Sequence, residues 1–146
     1  MENTTDMIRE TINRYKRLLE IIVNHQGNDN ICRISKKEIS DLYGLSYTGT
    51  LKKITFLLKY GLIEQVDGGL TRTEKDVIQH TPLSLLLKIM LLVLERPDIY
   101  SSFKQQAEIL DVPYEDVQSA WGFFGYFFGS KYPDKETLKL LKENGL

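Results

Sequence analysis

The chain has 146 residues, 42% hydrophobic and 27% charged, with 19 basic and 20 acidic side chains and a formal net charge of −1. That balance excludes a disordered polyion and leaves no global pull toward nucleic acid or anionic lipid, so any basic surface has to be local. The lone cysteine, Cys32, excludes an intrachain disulfide framework and predicts a reducing compartment, the cytoplasm.

The opening residues MENTTDMIRETINRYKR are charged from the start and show no apolar stretch followed by small residues, so no secretory signal is expected. Met7, Ile8, Ile12, Tyr15, Leu18, Leu19, Ile22 and Val23 then recur at three- and four-residue steps, which predicts an amphipathic helix from about Thr5 to His25. The polar run Gln26 to Asn30 ends it, and Ile31 to Ile34 reads as a short extended piece. Ser35 is placed to cap a second helix with Glu38 as its capping-box partner; that helix runs through Ile39 and Leu42 to Tyr43 and stops at Gly44. Ser46 caps a third helix, Tyr47 to Tyr60, with Leu51, Ile54, Leu57 and Leu58 as its apolar stripe and Gly61 as its left-handed stop. Leu62 to Val66 and Leu70 to Thr73 flank Asp67-Gly68-Gly69, a tight-turn signal that predicts a β-hairpin.

Beyond the hairpin, Thr81-Pro82 starts a strongly apolar helix to Leu94, whose apolar run from Leu85 is interrupted by Lys88 and too short for the ~20 residues that span a bilayer. Tyr100 to Leu110 and Tyr114 to Phe128 read as two further helices, the latter closed by Gly129, and Pro133-Asp134-Lys135-Glu136 opens a last helix ending at Gly145. A shift of 67 positions sets Leu18-Leu19 on Leu85-Leu86, Ile22 on Ile89, Leu42 on Ile109, Tyr47 on Tyr114, Ile54 on Trp121 and Leu57 on Phe124. Two tandem three-helix units fit that register, and so does the apolar spacing that any two such segments share.

Helix, helix, turn, helix, hairpin is the order of a winged helix-turn-helix. The stretch from Ser35 to Asp76, SKKEISDLYGLSYTGTLKKITFLLKYGLIEQVDGGLTRTEKD, resembles that DNA-binding superfamily, as in prokaryotic transcriptional regulators, through its Gly-Leu-Ser turn and its LLKYGLIE passage into the hairpin. The expected fold is therefore mainly α. Residues 1–76 form a winged helix-turn-helix of three helices plus a β-hairpin wing, and residues 77–146 form a C-terminal helical domain that reads as a second helix-turn-helix-like unit.

The resemblance implies that the third helix enters the major groove of duplex DNA and that the wing touches the adjacent backbone. It assigns Ser46, Tyr47, Thr48, Lys52 and Lys53 to the DNA face, with Lys36 and Lys37 nearby and Arg72 as the wing contact. Thr55 and Phe56 are expected exposed further along. Residues 1–75 hold about two more basic than acidic side chains and the remainder about three more acidic, which favours phosphate contact by the first half. Gly49 departs from the pattern, and Glu64 and Asp67 weaken the wing.

The block WGFFGYFFG, residues 121–129, spreads its rings around most of a helix, so something must cover the remainder. Its acidic surroundings disfavour base stacking, and it reads as core plus subunit interface, with a small-effector pocket as the alternative. Leu86, Met90, Trp121, Phe123, Phe124, Phe127 and Phe128 are the expected dimer or protein contacts. His25, Cys32 and His80 lack the close pairing of a zinc site, and there is no phosphate-binding glycine loop or nucleophile elbow. No catalytic residue, metal or cofactor is assigned, and the chain is read as a non-enzyme. The expected partners are double-stranded DNA and a second copy of the chain, without membrane; no effector is named. A transcriptional regulator, a replication, partition or phage/plasmid accessory protein, and a winged-helix module that binds only protein are the three roles this fold serves.

Overall fold

In the computed structural model, residues 4–146 are described; they form seven α-helices and one two-stranded antiparallel hairpin, so the protein is mainly helical. Two compact units arise: Thr11–His80, and Thr81–Leu146 together with the described residues up to Glu10. The sequence reading draws its boundary after Asp76, whereas the contacts extend the first unit through His80 and assign the first turns of α1 to the second.

In the unit Thr11–His80, α1 (Thr4–Asn24) contributes Tyr15, Leu18, Leu19 and Ile22 to the core, the stripe its periodicity predicts. Helix α2 (Lys36–Tyr43) begins where the Ser35 hydroxyl accepts from the Glu38 amide at 3.1 Å and ends at Gly44, whose φ of +80° closes the last turn. Leu42 is exposed, and Ile39, Ser40 and Tyr43 form the buried face. The hydroxyl of buried Ser40 donates to the Leu45 carbonyl at 3.0 Å and braces the turn. Helix α3 (Tyr47–Lys59) follows at once, and its Ser46 cap accepts from the Gly49 amide at 3.0 Å.

Strands β1 (Ile63–Val66) and β2 (Gly69–Arg72) pair with Ile63 opposite Arg72 and Val66 opposite Gly69, and Asp67 and Gly68 form the turn. The extended piece expected around Cys32 joins the other edge of β2. Cys32 N donates to Leu70 O at 2.7 Å, and Leu70 N donates to Cys32 O at 2.9 Å. Thr71 Oγ1 donates to Asn30 O at 2.7 Å and extends that seam.

Thr50 on α3 is fully buried, and its hydroxyl has no hydrogen-bond partner. An orphaned buried hydroxyl costs on the order of 1–3 kcal/mol, so Thr50→Val, which keeps the shape, is expected to raise stability by about 1 kcal/mol. Urea unfolding measures this, and a loss of stability would show that the hydroxyl is paired.

The second unit holds α4 (Leu85–Glu95), α5 (Phe103–Leu110), α6 (Tyr114–Phe128) and α7 (Lys135–Glu143), with 3-10 turns at Pro82–Ser84 and Pro97–Ile99. The helix expected from Tyr100 starts at Phe103, because Pro97 favours a separate short turn and Ser102 caps α5 by accepting from the Gln105 amide. The 67-position offset carries α2 onto α5 and the start of α3 onto the start of α6, but it is not kept by α1 and α4 or by the hairpin, whose offset positions 130–139 run into α7. Ser35 and Ser102 cap equivalent helices, Gly44 and Asp111 take the left-handed stop, and α3 and α6 begin at Tyr47 and Tyr114, which are 46% and 48% exposed.

Among the differences between the two cores, one is a coupled exchange. Ile39 and Ile54 of the first unit correspond to Gln106 and Trp121 of the second, and Trp121 Nε1 donates to Gln106 Oε1 at 2.7 Å. The Gln106 amide donates in turn to the carbonyls of Ile99 and Tyr100, at 2.9 and 3.0 Å, so this fully buried glutamine is satisfied at both ends.

Candidate functional site

Three fully or nearly fully buried side chains, Thr50, Ile54 and Leu57, fix one side of α3 against its unit. At ~100° per residue, the side facing away is the row Thr48, Lys52, Thr55 and Lys59, and all four are exposed. Hydroxyl and ammonium alternate along about 16 Å of helix. No acidic residue interrupts α3, whose sequence is YTGTLKKITFLLK, and Tyr47 is exposed at its start. Gly49 beside this row has a local explanation: a Cβ there would lie 3.0 Å from the Ser46 hydroxyl that caps the helix.

The two adjacent lysines of the sequence part company. Lys52 stands on the outer row, while Lys53 is half-buried with its Nζ 4.7 Å from the centre of the Tyr15 ring. Burial, followed by the nearby Arg14 charge, pulls the Lys53 ammonium below its ordinary range. Tyr15 stacks on Phe56 at 4.8 Å, and burial pushes its hydroxyl up to about 12. Lys59, to which the sequence reading assigns no role, occupies the outer position instead; the four-three-four spacing from Thr48 was the available signal. Phe56, expected exposed, is half-buried in that ring stack.

The other assigned cations do not join this row. Lys36, the first residue of α2, is half-buried, and Lys37 pairs with Asp41 at 3.2 Å on the exposed side of α2. The Ser46 hydroxyl is committed to its cap. Arg72 lies opposite Ile63, at the base of the hairpin and not at its turn. Its Nη1 donates to the carbonyls of Leu62 and Lys75, at 3.2 and 2.7 Å, and its backbone amide donates to Gln26 Oε1 at 2.9 Å. Burial lowers its pKa from the ordinary guanidinium value. These bonds make Arg72 a clamp for the strand end; the turn itself carries Asp67.

Sequence reasoning assigned no individual cation of α1 a role. Arg17 reaches the last turn of α2, with Nη2 3.5 Å from Leu42 O and its guanidinium 5.6 Å from the Tyr43 ring centre. A cation there complements the carbonyl end of α2. The Tyr43 hydroxyl donates to Arg14 O at 2.7 Å and locks the two helices together.

The residues expected to meet a second chain are largely covered within one. Leu86, Met90, Phe124, Phe127 and Phe128 are buried, and Trp121 and Phe123 are half-buried. Phe103 stacks on Trp121 at 5.6 Å, and Tyr100 meets it edge-on at 5.4 Å. The neighbours that close over α6 are thus supplied by the short turn before α5 and by α5 itself. Tyr126 and the glycines at 122, 125 and 129 form its exposed side.

Among the described residues, no three His, Cys, Asp or Glu side chains come together as a metal site. His25 Nδ1 lies 2.8 Å from Ile21 O, His80 Nδ1 accepts from the Asp76 amide at 2.8 Å, and burial raises the Cys32 thiol above its usual range. Among the described residues, no helix is long and apolar enough to cross a membrane. No family model, curated protein or solved structure matches the chain.

Proposed function

We propose that the protein is a sequence-specific duplex-DNA-binding protein that acts as a homodimer and regulates transcription. In this reading Thr11–His80 is a winged helix-turn-helix and α3 is its recognition helix. One observation carries it: an acid-free helix, pinned on one side by buried residues, presents Thr48, Lys52, Thr55 and Lys59 in a single exposed row. A helix of this length fits the major groove, where ammonium groups meet phosphates or guanine edges and hydroxyls donate or accept at bases. Lys52 and Lys59 are the phosphate or guanine contacts, and Thr48 and Thr55 are the readers. The hairpin contributes little, because its exposed acids Glu64 and Asp67 oppose a phosphate backbone.

The test is duplex selection from a random pool, followed by titration of the enriched site over a range of salt. An enriched inverted repeat with half-sites about 34 Å apart is expected for two-fold binding. Each phosphate contact contributes about 0.9 to the slope of log affinity against log salt, so Lys52→Ala and Lys59→Ala should each lower that slope by about one. Thr48→Ala should instead change which bases are selected. Absence of duplex binding at low salt, or a slope unmoved by the double lysine variant, rejects the reading and leaves a protein-binding role for the fold.

A further inference from the structure

Helix α4 is apolar on two sides. Leu85, Leu86, Ile89, Met90 and Val93 fill the core of its unit, and the opposite arc is not the polar surface expected of an amphipathic helix. That arc runs through Leu87, Leu91 and Leu94; Leu91 is 46% and Leu94 37% exposed, and Leu87 is half-buried. At ~100° per residue these three leucines fall within about 60° of one another, with Leu91 facing directly away from the core. Lys88 and Glu95, both exposed, lie on one flank of the row, each one position after a leucine of the seam.

We propose that this face is the contact between two copies of the chain, made by α4 against α4 in antiparallel orientation about a two-fold axis near Leu91. The proposal rests on the homodimeric part of the reading above and gives it a location. The sequence of the face is complementary to its own reversal. With the axis near Leu91, Leu87 meets the partner's Leu94, Leu91 meets the same position, and Lys88 faces the partner's Glu95. A two-fold axis makes every such pair occur twice. Parallel pairing would put the two charged flanks on opposite sides of the seam and leave Lys88 and Glu95 without each other, so the flanking charges select the antiparallel orientation. Arg96 does not compete for this arrangement. Its guanidinium binds Asp98 in two places, Nε to Oδ1 at 3.0 Å and Nη2 to Oδ2 at 2.8 Å, and the Glu95 charge affects it less than Asp98 does. A seam about 10 Å long is short beside interfaces that bury ~800 Å² per partner, so concentration-dependent association is expected, not an obligate dimer.

Sedimentation velocity of the full chain over a concentration series tests this, with circular dichroism to confirm folding at these exposed positions. The wild type should show a monomer–dimer equilibrium. Leu91→Glu places two carboxylates on the axis and should raise the dissociation constant by roughly a hundredfold or more. Lys88→Glu and Glu95→Lys should each weaken association about tenfold, and the double variant Lys88→Glu with Glu95→Lys should return to within about threefold of wild type. Recovery in the double variant is the outcome that surface polarity or misfolding would not produce. A monomer at every concentration, a Leu91→Glu variant that associates as the wild type does, or a double variant no better than the singles overturns the seam. A monomeric chain that binds a single half-site overturns the seam and leaves the DNA reading standing; association through α4 without duplex binding supports the seam and rejects the DNA reading.

Discussion

Phe124→Ala is expected to destabilise the C-terminal unit by about 3–5 kcal/mol, enough to consume a large part of the ~5–15 kcal/mol that holds a domain folded. Phe124 is 2% exposed and sits in the C-terminal half of α6, with its ring centre 5.1 Å from Trp121 and 4.9 Å from Phe128. Truncating it leaves a cavity among rings held by other contacts. Trp121 is fixed by Gln106 and by Phe103, so it cannot swing in to fill the space. The melting temperature should fall by well over ~10 °C, since 1 kcal/mol moves a domain of this size by several degrees. Tyr126→Ala, two positions on but exposed, should stay within about 0.5 kcal/mol of wild type. A Phe124→Ala variant that unfolds at the wild-type temperature would show that the α6 core is not packed as described. The sequence-based expectation that Phe124 and Phe127 report on self-association is thereby replaced: both are buried, so their loss acts on folding.

What the sequence disclosed most faithfully is the frame of the unit Thr11–His80. Ser35, Gly44, Ser46 and Gly61 mark helix ends by local chemistry, and Asp67-Gly68 by the backbone angles its turn needs; such residues act on their neighbours in the chain and can be read there. Residues whose role depends on a distant partner were not legible. Lys53 looked equivalent to Lys52 until Tyr15 of α1 appeared beneath it, and Arg72 looked like a surface cation until the carbonyls of Leu62 and Lys75 claimed it. The aromatic block misled for the same reason. Its rings do point in many directions, but Phe103 and Tyr100 cover much of what a helical wheel leaves bare.

The shared frame also sharpens the contrast between the units. At the 67-position offset, the outer row of α3, Thr48, Lys52, Thr55 and Lys59, corresponds on α6 to Glu115, Ser119, Gly122 and Tyr126. One helix carries two cations and no acid on that row, and the other carries an acid and no cation. A cation-bearing row thus occurs on α3 and not at the offset positions of α6, which is why the near-neutral net charge of the whole chain was a poor guide to local chemistry.

Gly69→Ala is expected to cost about 2–4 kcal/mol, although alanine is usually a mild replacement. The reason is contact, not backbone freedom. A Cβ on residue 69 would lie 2.5 Å from both Cys32 O and Ile31 Cγ2, distances that neither a backbone carbonyl nor a packed branched side chain can accept. Relief requires moving the segment around Cys32 off β2, and that segment is held by the paired bonds between Cys32 and Leu70, at 2.7 and 2.9 Å. Separation would expose Leu70 and Cys32, both now buried, and would loosen the sheet edge that β2 shares with the end of α1 through Gln26 and Arg72. Gly68→Ala provides the contrast. Gly68 has a φ of +78° and nothing within 4 Å of a new Cβ, so its substitution should cost only the ~1–2 kcal/mol of a left-handed alanine. Amide exchange distinguishes the two. In Gly69→Ala the Cys32 and Leu70 amides should lose protection together, while in Gly68→Ala they should keep it; equal protection in both variants would mean that the Cys32 segment does not lie against the hairpin.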